Sequence, residues 1–235
     1  MLFRQFFDHD SYTYTYLIAT REGGDALLID PVLSKVKFYL KFINELNLNL
    51  RFVIDTHVHA DHITGAGELK RATGCKIAMS HMTKAQGVDI YLNEYDRITI
   101  GPIALKTLLT PGHTDDSLCM LADDRLFTGD TLFIRGTGRT DFQHGCAETQ
   151  YHCLFDKLLS LDDATLIYPG HDYNGATVST IGEEKRYNPR LQVNSSQEYV
   201  ALMASLNLPN PKLIDIAVPA NLNCGLIPER EPSLA

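Results

Sequence analysis

Thr56-His57-Val58-His59-Ala60-Asp61-His62 places three imidazoles and a carboxylate within one heptapeptide. The run before it, Arg51-Phe52-Val53-Ile54-Asp55, is apolar and strand-like, so the four polar groups emerge together at the end of a buried strand. A single histidine is more often a hydrogen-bonded core or surface residue than a ligand. Three histidines with an aspartate at this spacing supply the nitrogen and oxygen donors that zinc and iron take. The arrangement recurs along the chain, with His113 in Thr110-Pro111-Gly112-His113-Thr114, Asp130 in Phe127-Thr128-Gly129-Asp130-Thr131, and His171 in Ile167-Tyr168-Pro169-Gly170-His171-Asp172. Each time a short apolar run enters a glycine turn and the candidate ligand follows. The four segments predict a metal site assembled from strand ends.

Outward from these segments the chain alternates between strand and helix patterns. Residues 11–20 alternate and are rich in Tyr and Thr, and Ala26 to Asp30 is a short apolar run, so the two predict a hairpin. Val36, Tyr39, Leu40, Ile43 and Leu46 recur at helical spacing over 34–47, with Ser34 in the place of an N-cap. A short helix is expected over 65–73, closed by Gly74, then a strand over 76–80. Strands follow at 98–100, 103–109, 117–121 and 126–127, separated by Gly-Pro, Pro-Gly and Asp-Asp turns. Tyr151, Leu154, Phe155, Leu158 and Leu159 form an apolar stripe on a helix over 148–161, a core stripe in our reading. A strand at 165–168 and a helix at 196–206 complete the pattern, and the Pro-rich remainder is expected to wrap the surface. Two sheets face to face with helices outside, a four-layer sandwich, would accommodate this order. The pattern by itself requires only mixed α and β structure.

With 235 residues the chain is long enough to bury a full core, and one domain over 1–235 is expected. A formal charge of −8 and the lack of any Lys/Arg run argue against a general nucleic-acid binder. No apolar run approaches the roughly 20 residues of a membrane span, and the start has no signal-peptide core, so a soluble, unexported and cytoplasmic protein is expected. Five cysteines, odd in number and without a C-x-x-C pair, suit a reducing compartment. Cys119 and Cys153 lie in apolar contexts and read as inert, whereas Cys146 and Cys224 lie in Gly-flanked loops and read as exposed thiols. His9, His81, His144 and His152 fall outside the metal pattern and receive no role.

The heptapeptide, Pro111-Gly112-His113-Thr114, Thr128-Gly129-Asp130 and Pro169-Gly170-His171 together resemble the metallo-β-lactamase superfamily, in the right order along most of the chain. Within it, three segments are similar to the persulfide dioxygenases, also called sulfur dioxygenases: 134–143 (IRGTGRTDFQ), Tyr187-Asn188-Pro189-Arg190-Leu191, and Ala217-Val218-Pro219-Ala220-Asn221. The resemblance implies an α+β fold, the four-layer αββα sandwich of the metallo-β-lactamase type. Ligand counting leaves two arrangements open. As in the glyoxalase II branch, two metals would take His57, His59 and His113 on one side and Asp61, His62 and His171 on the other, with Asp130 between. The dioxygenase resemblance implies instead one Fe(II) per chain on His57, His113 and Asp130, with His59, Asp61, His62 and His171 around them. Two imidazoles and one carboxylate leave positions open for O2 and a substrate sulfur.

The reaction so implied takes glutathione persulfide, O2 and water to sulfite and glutathione, in a protein that, like many members of the family, forms a homodimer. The alternative is a binuclear zinc thioester hydrolase of the glyoxalase II type; a non-catalytic sensor of persulfide or metal is a third reading. Against the hydrolase, only about sixty residues follow His171, where those enzymes carry a helical substrate domain. An anionic substrate approaching an acidic chain needs local cations. Arg139 and Arg190 stand in the family-like segments, and guanidinium forks suit carboxylates. Ion pairs with residues such as Asp141 and Glu183 are the structural alternative for them. Tyr173 is a candidate hydrogen-bond donor to substrate, with a packed loop tyrosine as its alternative.

Overall fold

Strand β2 (Tyr14–Ala19) is buried at every position, and alternation sorts its side chains onto two faces. Tyr14, Tyr16 and Ile18 point to one core, Leu17 and Ala19 to another. A strand buried on both faces needs a layer on each side, which sets the architecture. The computed structural model describes residues 1–211 and 213–226. In it β1 (Leu2–Phe7), β2, β3 (Asp25–Ile29), β4 (Asn49–Ile54), β5 (Lys76–Ser80) and β6 (Ile90–Leu92) form one sheet in sequence order. Its first pairings are antiparallel, and those from β3 to β6 are parallel. Helices α1 (Val36–Glu45) and α2 (Ala66–Thr73) cover its outer face, where Tyr39, Ile43 and Leu69 pack on Leu17, Leu28, Val53 and Ile77.

The second sheet contains β7 (Arg97–Ile100), β8 (Ile103–Leu109), β9 (Leu118–Ala122), β10 (Arg125–Gly129), β13 (Leu166–Pro169) and β14 (Ser179–Thr180), in the order β14-β13-β10-β9-β8-β7. A small hairpin, β11 (Leu132–Phe133) and β12 (Gly136–Thr137), follows β10. The inner faces meet through Ile18, Leu27, Ile29 and Ile54 on one side and Leu105, Leu118, Met120 and Phe127 on the other. On the outer face α3 (Ala147–His152) with the turns that continue it over Cys153–Leu158, α4 (Ile181–Tyr187) and α5 (Ser196–Ala204) pack Leu154, Leu158, Ile181, Tyr199 and Met203 against Cys119, Leu126 and Ile167. The expected αββα sandwich is the observed fold.

Four local expectations need correction. Ser34 does not cap α1: a tight turn, Leu33–Lys35, precedes the helix, and no side chain caps its start. The stripe over 148–161 begins as α3 but widens over Cys153–Leu158, where Leu159 N–H reaches back to Leu154 O at 2.8 Å. Cys224 is buried, and its thiol donates to Gln86 O at 3.1 Å. Within the Pro-rich remainder, Ile214–Asn221 is a helix, α6, with Pro219 inside it, and the expectation for 227–235 lies outside the described residues. The last residue of α6, Asn221, is buried under the heptapeptide loop.

Candidate metal centre

β4 ends at Ile54, β8 at Leu109, β10 at Gly129 and β13 at Pro169, and the loop after each carries part of the site. The ligand atoms of His57, His113 and Asp130 lie within 4.8 Å of one another. In each residue one polar atom is committed to protein and another is left for the shared space. Thr56 Oγ1 donates to Asp30 Oδ2 at 2.9 Å and lies 3.0 Å from His57 Nδ1, so it accepts from that nitrogen and leaves Nε2 as the lone pair. His113 Nδ1 donates to Arg139 O at 2.7 Å. Its Nε2 then faces Asp130 Oδ2 at 3.6 Å, wider than a hydrogen bond. Asp130 Oδ1 is 2.6 Å from His171 Nδ1, which fixes the carboxylate plane.

The loops close tightly because glycine stands where they cross. A Cβ on Gly138 would lie 2.0 Å from Asp130 O and 2.9 Å from the His113 ring, and one on Gly170 would lie 2.5 Å from Asp130 Oδ1. Any larger residue there would push the donors apart.

Beside this trio lies a second polar group. Asp61 Oδ2 is 2.8 Å from His171 Nε2 and 2.9 Å from His62 Nδ1, and Thr13 Oγ1 touches all three residues. His59 Nε2 is held by Asp30 at 3.1 Å. His59 Nδ1 and His62 Nε2 are buried and have no partner among the described residues. Buried orphan nitrogens in a folded protein call for a ligand or water.

The electrostatics suit a cation. Burial pushes the His57 pKa well down, and neighbouring His59 adds to this, so its imidazole is neutral. Burial would raise Asp130, but the facing His171, His57 and His113 hold it below the usual carboxylate range. Burial would lower His171, yet Asp130 and Asp61 on either side raise it well above an ordinary histidine. In the same way Asp30 overcomes burial and raises His59 to about 9. A neutral imidazole beside an ionised carboxylate is the protonation state that metal ligation needs. The donors of His57, His113 and Asp130 therefore fit a metal ion, and His59, Asp61 and His62 form a neighbouring group whose ligand atoms also lie within 4.8 Å of one another.

The three residues assigned to substrate fall at different depths. Arg139 gives Nε and Nη2 to Asp141 at 2.6 and 2.7 Å and Nη1 to Pro209 O at 2.7 Å, so the anticipated Asp141 pair is present. Glu183 pairs with Arg135, not with Arg190. Arg190 is half-buried, donates to Thr137, and forms no ion pair among the described residues. Tyr173 is exposed, its ring parallel to that of His171 at 6.2 Å. Sequence reasoning assigned no role to Asn221, which donates to His59 O and His62 O, both at 2.8 Å, and accepts from Thr64 N at 2.9 Å. Its presence in a family-like segment was the available signal. Thr13, Asp30 and Thr56 also went unassigned, and only their place beside the cluster marks them.

Comparison with known proteins places this geometry. The pattern of the metallo-beta-lactamase superfamily matches residues 10–171. The mitochondrial persulfide dioxygenase ETHE1 of Mus musculus is 48% identical over 229 residues, covering 96% of this chain and 89% of the mouse protein. The crystal structure of ETHE1 from Myxococcus xanthus superposes with a TM-score of 0.93 at 50% identity, over 96% of this chain and all of that one. A metallo-beta-lactamase from Staphylococcus aureus gives 0.89 at 26% identity, over 97% of this chain and 73% of its own. The chain belongs to the metallo-beta-lactamase superfamily and, within it, to the family of the persulfide dioxygenases.

Proposed function

We propose that this protein is an iron-dependent persulfide dioxygenase that takes glutathione persulfide, O2 and water to sulfite and glutathione, with one Fe(II) per chain on His57, His113 and Asp130. The observation that carries the single-ion reading is the difference between the two polar groups. In the first trio two imidazoles and a carboxylate each keep a donor atom free beside the others, whereas in the second group Asp61 Oδ2 and His171 Nε2 are hydrogen-bonded to each other and the free nitrogens are His62 Nε2 and His59 Nδ1, which with Asp61 also lie within 4.8 Å. Bound to two imidazoles and a carboxylate, ferrous iron supplies reactivity toward O2 and open positions for two reactants.

The chain's own residues hold and orient. His171 fixes the Asp130 carboxylate, and Arg139 O fixes the His113 ring, so the donors do not reorganise during turnover. Arg190, Arg139 and Tyr173 receive the glutathione moiety in this reading. Arg190 is a guanidinium without a carboxylate partner among the described residues. Arg139 keeps N–H groups beyond the three given to Asp141 and Pro209. Tyr173 lines the rim beside His171. The reaction runs in a single catalytic domain over 1–235. Its five free cysteines suit a reducing compartment, the cytoplasm in our reading.

A substrate competition tests the reading. Protein loaded anaerobically with Fe(II) is offered glutathione persulfide and, separately, a glutathione thioester. Turnover of the persulfide with sulfite released is expected; hydrolysis of the thioester by a zinc-loaded form, with no persulfide turnover by the iron form, would overturn it.

A further inference from the structure

Gln150 is the buried residue of α3, completely out of solvent, and it is polar. A buried amide is costly unless both of its ends are hydrogen-bonded. Here Nε2 donates to Gly138 O at 3.2 Å, and Oε1 accepts from the Tyr199 hydroxyl at 2.8 Å. A carbonyl can only accept, so Gly138 O fixes which way round the amide lies. Thr137 Oγ1, 3.2 Å from the Tyr199 oxygen and 3.3 Å from Gly138 O, closes a ring of hydrogen bonds, and Arg190 Nη1 donates to it at 3.2 Å. Thr137 and Tyr199 are buried as well.

The backbone that Gln150 holds is the backbone that His113 leans on. Gly138 is wedged beside the first trio: a Cβ on it would lie 2.0 Å from Asp130 O and 2.9 Å from His113 Cγ and Nδ1. The next carbonyl, Arg139 O, accepts from His113 Nδ1 at 2.7 Å and so orients the ring. Two successive carbonyls thus tie Gln150 and His113 to one short stretch of chain. The residue before His113 is gripped from the same helix. Gly112 has a φ of 144°, and a Cβ on it would lie 2.4–2.7 Å from Gln150 Cβ, Cα and N, while Cys146 N–H donates to Gly112 O at 2.8 Å. Displacing Gln150 would loosen both the segment that carries His113 and the segment that orients its ring.

We propose that Gln150 is a positioning residue for His113, fixing the Gly138–Arg139 backbone from which the imidazole is hung, with the Tyr199 hydroxyl locking the Gln150 amide. The inference rests on the reading of His113 as a metal ligand. It gives a role at the site to two buried residues of the outer helices, α3 and α5, that act on it only through backbone.

A double-mutant cycle on metal affinity tests this. Chelator-stripped wild type, Gln150→Met, His113→Ala and the double variant are titrated with Zn(II) against a competing chelator, and the visible spectrum of each Co(II)-loaded form is recorded as a signature of ligand geometry. Gln150→Met is expected to hold its first equivalent of Zn(II) about tenfold more weakly than wild type, the lower end of an outer-sphere loss, with a displaced Co(II) spectrum. In the His113→Ala background the same change is expected to cost less than about twofold, because the ring it orients is gone. A merely structural glutamine would lower the thermal midpoint and leave affinity and spectrum alone. That result, or an equal loss in both backgrounds, would overturn the proposal. Unchanged affinity in His113→Ala by itself would overturn the assignment of His113 as a ligand, a separate failure that takes the proposal with it. If Gln150→Met does not fold, Tyr199→Phe, which removes only the hydroxyl that locks the amide, is carried through the same cycle. A loss seen only with His113 present supports the proposal; no loss, or an equal loss in both backgrounds, overturns it.

Discussion

His57 presents Nε2 to the site because Asp30, through the Thr56 hydroxyl, holds its other nitrogen. Asp30 itself adopts a left-handed φ of 50°, an uncommon conformation for a side-chain-bearing residue, and from it reaches Thr56 N at 2.7 Å and His59. Thr56→Val removes the hydroxyl and keeps the shape. Iron affinity, measured by competition with a chelator, is expected to fall about 10–100-fold, the usual size of an outer-sphere loss, with the fold retained; unchanged affinity would mean that the ring is oriented by other contacts. Arg190→Ala is expected to raise KM for glutathione persulfide about tenfold or more, the scale of a charge-assisted hydrogen bond. An unaltered KM would assign Arg190 to the support of Thr137 alone. Cys146 is the exposed cysteine, and hydrogen bonds from Thr149 lower its thiol pKa. Since the thiolate is the reactive form, alkylation of the native protein should label Cys146 first, at a pH below that of an ordinary thiol near 8.5. Mass mapping that found Cys224 labelled as fast would contradict its burial.

At the scale of elements, the segments whose polar ends make the site were legible because three join an apolar run to a glycine turn and the fourth ends its apolar run in the histidine-rich heptapeptide. β5 and β8 fall on the expected residues, and α2 ends at Gly74 in a left-handed φ of 74°. Helix α6 was not legible, because Pro219 breaks the helical pattern from within and the run reads as tail. What selects the helix is tertiary: Asn221 joins the far end of the chain to the backbone of the heptapeptide loop. Asn221→Ala leaves two buried carbonyls and one N–H without that partner. A loss of about 2–4 kcal/mol is expected in denaturant unfolding, from unsatisfied groups at about 1–3 kcal/mol each with partial relaxation. A loss below about 0.5 kcal/mol would show that the loop is set by its neighbours. The widened turn at Cys153–Leu158 was invisible for another reason, since one extra residue in a turn barely changes an apolar stripe.

Across the whole molecule, a sandwich of two sheets brings four loops to one edge, and residues as distant as Thr13 and Asn221 hydrogen-bond to them. The motifs named the donors, but only the packed structure separates them into two neighbouring groups, His57 with His113 and Asp130, and His59 with Asp61 and His62. Substrate contacts were the least legible part, because an arginine in a family-like segment carries the same letters whether it meets a ligand or, as Arg139 does, an aspartate two residues away. The central claim concerns one iron and one reaction, and oxygen uptake measures both. Apo-protein is titrated anaerobically with Fe(II) from zero to two equivalents, and at each point glutathione persulfide and oxygenated buffer are added while O2 consumed and sulfite formed are recorded. The account predicts a rate that rises linearly and breaks at one equivalent of iron, with one sulfite per O2. A break at two equivalents, or oxygen uptake without matching sulfite, would contradict it.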